Sequence, residues 1–208
     1  MKKYFFLSFF FLLLSTNHYS QIIQDYGLKI GYVNSSQVFT NEDAITRRIN
    51  GYSISAFVEL FNFKGFSISP ELKYIRKGVG LEAIYIGSDV PQPNLKFNVH
   101  HNYLSIPISI VYKMQLGLGT PFIKIAPRYD ILLESYNDLS SPRNPTSIYD
   151  EYKNVFGGTF SIGFIPELFI VVNPFIEVSY HMDFTDTYST RNTKIKNNAL
   201  EINLGLLF

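Results

Sequence analysis

The chain has 208 residues, enough for one sizeable domain. Charged residues make up 17% and aromatics 16%, where an ordinary soluble domain is about a quarter charged. Lys+Arg 18 against Asp+Glu 17 leaves no basic excess to attract nucleic acid, and the absence of Cys excludes disulfides, thiolate zinc sites, Cys nucleophiles and an acylated lipoprotein Cys.

Residues 1–20 read as a targeting segment. Lys2 and Lys3 form a basic start, Tyr4 to Leu14 an apolar run, and Ser15 to Ser20 a polar stretch before Gln21. The apolar run falls short of the roughly 20 residues that a spanning helix needs. Cleavage is expected after Ser20, leaving a mature domain of residues 21–208 that is exported and has no transmembrane helix.

From there the pattern has a period of two, the mark of a β-strand with unlike faces. Asp25 to Val33 sets Tyr26, Leu28, Ile30 and Tyr32 opposite Gly27, Lys29, Gly31 and Val33. A polar stretch, 34–50, reads as a long loop. Gly51 to Phe61 resumes the alternation, and Asn62-Phe63-Lys64-Gly65 is a tight turn with Gly supplying a positive φ. A third strand starts at Phe66 and runs on to about Ile86, with Ile68, Pro70, Leu72 and Tyr74 opposite Ser67, Ser69, Glu71 and Lys73. The second long loop spans about 87–97.

Tyr103 to Met114 sets Leu104, Ile106, Ile108 and Ile110 against Ser105, Pro107, Ser109 and Val111. After a short turn at 115–120, Pro121 to Leu133 places Ile123, Ile125, Pro127 and Tyr129 opposite Phe122, Lys124, Ala126, Arg128 and Asp130. The longest loop covers 134–152. Lys153 to Phe164 and Leu168 to His181 follow, joined by a turn at Pro166-Glu167, and the last long loop is 182–198. The closing stretch, Ala199 to Phe208, puts Leu200, Ile202, Leu204, Leu206 and Phe208 on one face. Glu201, Asn203 and Gly205 lie on the other, with Leu207 the one apolar intruder.

These are eight strands whose connections alternate long and short. An even count with one end in short turns predicts an all-β, eight-stranded, antiparallel up-and-down transmembrane β-barrel, its short turns periplasmic and its long loops extracellular. Alternation alone also fits a soluble periplasmic lipocalin-like ligand-binding barrel, with inside and outside exchanged. Three features favour the membrane. Small residues such as Gly27, Ser53, Ser69, Ser109 and Gly163 crowd the polar faces, as a narrow interior requires. Lys29, Lys73, Lys113, Lys124 and Arg128 on those faces balance Glu59, Glu71, Asp130, Glu177 and Glu201, and buried charges need such pairing. Tyr26, Tyr32, Tyr52, Tyr74, Tyr112, Tyr129 and Tyr180 fall towards strand ends on the apolar face, as interfacial girdles do. Pro70, Pro107 and Pro127 lie within strands, where no donor is available to the ladder; bulges or local bends are expected there.

The run Asn102-Tyr103-Leu104-Ser105-Ile106-Pro107-Ile108-Ser109 resembles the Y-L-x-I-P strand of the outer-membrane β-barrel proteins of Bacteroidetes, the group that includes the PorT-like proteins. Glu71-Leu72-Lys73-Tyr74 with Lys77-Gly78, Gly157-Gly158 with Gly163, Glu177-Val178-Ser179-Tyr180 and the closing Leu204-Gly205-Leu206-Leu207-Phe208 are similar as well. The resemblance spans the mature chain and implies an outer-membrane barrel. PorT itself is associated with type IX secretion and gliding, and the resemblance does not separate that role from other members' roles.

Chemistry-bearing motifs are sparse. His100 and His101 follow the second long loop and His181 precedes the fourth, so a rim metal site, or a catalytic pair of His181 with Asp183, Asp186 or Asp130, is the sharpest alternative. No His-x-x-x-His or Ser-centred motif supports it, and polar rim residues are the expected role. No catalytic residue, metal ligand or cofactor is assigned. The reading is a non-enzymatic outer-membrane protein, envelope-structural, adhesive or secretion-accessory, with no open pore. Its expected partners are outer-membrane lipid and secretion or envelope proteins, and it is expected to be a monomer.

Overall fold

The computed structural model describes residues 22–40, 45–83, 95–138, 152–167, 172–189 and 193–208. The targeting segment 1–20 and much of the long loops lie outside the described residues.

The strands are β1 (Ile23–Thr40), β2 (Ile45–Arg47), β3 (Ile49–Phe63), β4 (Phe66–Ala83), β5 (Leu95–Lys113), β6 (Gly119–Asn137), β7 (Val155–Pro166), β8 (Asn173–Asp183), β9 (Tyr188–Ser189) and β10 (Lys194–Leu207). Eight of them, all but the short β2 and β9, pair antiparallel in chain order, and β10 pairs with β1 to close the barrel. Closure leaves no edge, so backbone groups crossing the lipid find partners within the wall except where proline interrupts the ladder.

The stagger follows from the pairing. From Ile23 the partners run Leu60, Ile68, Ile110, Ile125, Phe160, Tyr180 and Leu200, returning to β1 at Asn34. That is eleven residues further along, one of them taken up by the register shift between Ile23 and Asp25. Eight strands with this stagger leave an interior only wide enough for side chains.

The faces fall as expected for a membrane barrel. Outward Ile30 and Leu204 are 62% and 60% exposed, while inward Glu201 is 0%. Tyr26 stacks on Phe208 (5.5 Å) and Phe66 lies against Tyr112 (4.6 Å), forming part of the girdle on the short-turn side. The turn at Lys64-Gly65 has φ of 54° and 86°, the two-residue geometry that matches strand twist.

Several expectations are corrected. The loop expected at 34–50 is mostly strand, since β1 continues to Thr40 and pairs with β10 up to Lys194. Likewise β5 begins at Leu95, β6 ends at Asn137 and β10 begins at Lys194. Beyond the lipid the outer face no longer has to be apolar, so polar residues continue the ladder without the alternation that marks a strand in sequence. The prolines make no bulge. Pro70 pairs with Ile108 and the next pair is Lys73 with Ser105; Pro107 pairs with Arg128 and the next is Ile110 with Ile125. Two pairs are missing from each ladder while the register holds, with Pro107 inside the β4–β5 gap and Pro127 inside the β5–β6 gap. The register shifts lie elsewhere, between Ile23 and Asp25, between Leu60 and Phe63 and between Asn102 and Tyr103. Leu207, the apolar intruder, points inward and packs with Phe57, Val111, Phe122 and Phe175.

Candidate functional site

The inward positions of the strands build a column of layers. Lowest, on the short-turn side, Lys113 donates to Asp25 (2.9 Å) and lies 2.6 Å from Glu59. Phe57, Phe122 and Phe175 form the next layer, ring centroids 5.8 and 6.1 Å apart. Each ring lies beside an inward glycine of the neighbouring strand, at Gly27, Gly163 and Gly205 respectively. Lys124 sits over all three rings, at 4.9, 4.8 and 5.8 Å.

A first charged tier stands above the rings. Lys29 bridges Glu71 (3.0 Å) and Glu177 (2.6 Å). Lys73 bridges Glu71 (3.3 Å) and Glu201 (2.8 Å), and Lys124 reaches Glu177 (2.9 Å). Ser53 donates to Glu201, and His181 Nε2 lies 2.7 Å from the same carboxylate. In a second tier Asp130 takes Lys77 (2.7 Å) and Arg128 (2.6 Å), while Asp183 takes Arg128 and the backbone N–H of Asn197 (3.1 Å). Three lysines meet three glutamates in the first tier, and two cations meet two aspartates in the second, so both are formally neutral. Desolvating these ions costs several kcal/mol each, and reciprocal pairing is what offsets it.

Above the tiers, Val33, Ile75, Tyr103, Val155 and Ala199 make a second apolar cluster. A polar cap covers it. Tyr103 bonds Thr187 (2.7 Å), and His101 is held between Gln37 (3.0 Å) and Ser135 (2.8 Å). Among the described residues the void inside the first tier measures about 10 Å³, room for no more than about one water. A wider cavity of about 680 Å³ lies at the short-turn mouth, lined by Asp25, Lys113, Thr120, Ile165 and Leu207.

All ten charges expected on the inner face are there. Lys77 and Asp183 join them without having been expected. Lys77 continues the odd-numbered inward phase of Lys73, but Gly78 and Gly80 broke the alternation around it; Asp183 had been assigned to a loop. The three histidines do not meet. His100 faces outward, stacked on Tyr136 (5.0 Å) and 3.3 Å from Asp138. His101 is inside the cap. His181 is inside the first tier, held by Glu201 and by Thr159 (2.9 Å) rather than at the rim. Asp130 and Asp183 are committed to Arg128 and Lys77. No group of three or more metal-ligating side chains forms among the described residues.

A closed antiparallel barrel with a lipid-facing apolar belt and a packed, ion-paired interior is the architecture of a bacterial outer-membrane protein. The sequence agrees: a model of the outer membrane protein beta-barrel domain family matches residues 19–189, and the chain belongs to that family. Among solved structures, OprG from Pseudomonas aeruginosa is 10% identical with a TM-score of 0.51, the match covering 90% of this chain and 97% of that one. Ail, the attachment invasion locus protein of Yersinia pestis, is 12% identical with a TM-score of 0.45 over 88% of this chain and 98% of that one. At such identities the likeness to OprG is one of fold. No curated protein sequence matches the chain.

Proposed function

We propose that this protein is a non-enzymatic, PorT-like outer-membrane barrel that serves the envelope as a structural, adhesive or secretion-accessory component. The observation that supports this most is the filled interior: among the described residues, neutral ion-paired tiers between two apolar clusters offer neither a path for solutes nor an accessible reactive group. Outer-membrane lipid covers the belt, and the extracellular rim is what remains for contact with partner proteins. Export through a cleaved segment 1–20, a Bacteroidetes origin and a monomeric state complete the reading, and it involves no cofactor. The alternative of a rim enzyme centred on His181 is disfavoured by that side chain's burial against Glu201.

Electrophoresis of the membrane fraction in SDS, boiled and unboiled, is the first test. A heat-dependent shift, retained when residues 84–94 or 139–151 are replaced by short Gly-Ser turns, with loss of an adhesion or secretion phenotype, is the expected result. A soluble protein without a shift, or a hydrolytic activity abolished by His181→Ala, would overturn the proposal.

A further inference from the structure

The stagger puts residues at equal height a little over one position apart per strand. By that rule Tyr32, Tyr74, Tyr129 and Tyr180, all outward, mark one level on the loop side of the belt. Arg76 is the next outward residue above Tyr74 on β4, about 5 Å higher along the barrel axis. This is headgroup height, one step outside the tyrosines.

What surrounds Arg76 is neutral. Its Nε donates to Asn102 Oδ1 (3.0 Å), and its guanidinium lies over the ring of Tyr52 (4.8 Å) and close to that of Tyr136 (5.7 Å). The nearby carboxylates are engaged elsewhere: Glu134 accepts from Asn102 Nδ2 (3.0 Å), and Asp138 accepts from Asn98 (2.5 Å) and lies near His100. Among the described residues no carboxylate is within ion-pair distance of Arg76, whereas each cation of the inner tiers has one. The half-buried guanidinium is thus held by an amide and two rings, without a counter-ion among the described residues, on the outward face of the wall. Along the rim, Asn34 donates to Asn50 (3.1 Å) and Arg48 to Asn34 (3.2 Å).

We propose that Arg76, clamped between Tyr52 and Tyr136, binds the phosphate of an anionic lipid headgroup in the outer leaflet. A planar guanidinium offers parallel N–H donors that match phosphate oxygens, and the rings fix its orientation. The anion comes from a lipid because the site faces sideways at the level of the bilayer surface, so a headgroup is supplied there at high local concentration. This inference rests on the membrane-barrel reading.

The test uses the full mature protein in phosphatidylcholine nanodiscs doped with lipid A, either bisphosphorylated or dephosphorylated. Lipid retained through purification is counted by mass spectrometry. Wild type is expected to retain the bisphosphorylated form over the dephosphorylated one, Arg76→Gln to lose about tenfold in that preference, and Arg76→Lys to keep part of it. Equal retention by Arg76→Gln, or displacement of the lipid by millimolar inorganic phosphate, would overturn the proposal. Each variant is also run boiled and unboiled in SDS. A heat shift with no lipid preference refutes this inference alone, whereas no heat shift refutes the barrel reading with it.

Discussion

Phe122 on β6 stands directly across the ladder from Gly163 on β7, and its ring occupies the space where a side chain at 163 would begin. The same substitution of ring for side chain recurs at Phe57 with Gly27 and at Phe175 with Gly205. Three aromatic rings therefore fit inside a wall that could not hold them beside three larger residues.

Gly163→Ala is expected to destabilise the barrel. A Cβ there would also stand 2.6 Å from the backbone carbonyl of Ile176, which cannot swing away. A cost of about 1–3 kcal/mol is expected for such overpacking. It should appear as a lower midpoint temperature for the loss of the fast-migrating form in SDS. Phe122→Ala combined with Gly163→Ala should relieve the ring clash but leave a cavity, so the pair will not return to wild type.

Glu177 accepts two lysines, Lys29 at 2.6 Å and Lys124 at 2.9 Å. Replacing it by Leu leaves one excess buried positive charge in the first tier, and a loss of about 3–5 kcal/mol is expected. The double variant Glu177→Leu, Lys124→Met restores neutrality and should recover much of that loss. Urea titrations of the barrel in vesicles, followed by circular dichroism since the chain has no Trp, measure both. Equal stability of the single and double variants would show that charge balance is not what matters there.

Pro107 lies where two pairs are missing from the β4–β5 ladder. Replacing it with Val supplies an N–H to that gap. The entropy lost with the proline ring is worth about 0.4–1 kcal/mol, but an unmet backbone group in lipid costs several kcal/mol, so the gain should win. A raised midpoint temperature for Pro107→Val is expected; an unchanged or lower one would show that the gap has another cause.

His181→Ala removes one of the polar partners of Glu201 while Lys73 and Ser53 remain. Its effect should be confined to stability, on the order of 1–2 kcal/mol, with the lipid composition of the membrane unaltered. A changed lipid profile with unchanged stability would revive the enzymatic alternative.

The membrane-crossing half of each strand was legible because lipid imposes alternation there: Leu28, Ile30 and Tyr32 outside, Lys29 and Val33 inside, read straight from the residues. Where strands rise into water that constraint ends, and Ser36 to Thr40 looks like a loop although it pairs with β10 from Asn198 to Lys194. The inward charges were legible as a balanced set, but their partners were not, because pairing joins strands far apart in sequence. The histidines show the limit most clearly. His100 and His101 are adjacent in the chain yet lie on opposite sides of the wall, and His181 is buried against Glu201 in the first charged tier although its place before a loop suggested the rim.

The ion pairs also bear on how the barrel comes together. Lys29 and Glu177 are 148 residues apart, Lys73 and Glu201 are 128 apart, and Lys113 and Asp25 are 88 apart. None of these three pairs can form inside a single hairpin, although Lys73 with Glu71 and Arg128 with Asp130 can pair within one strand. A hairpin inserted alone would therefore carry unpaired ions towards the lipid, at a cost that falls as distant strands join. Glu201 on β10 completes the first tier, so its neutrality comes only with the closing strand.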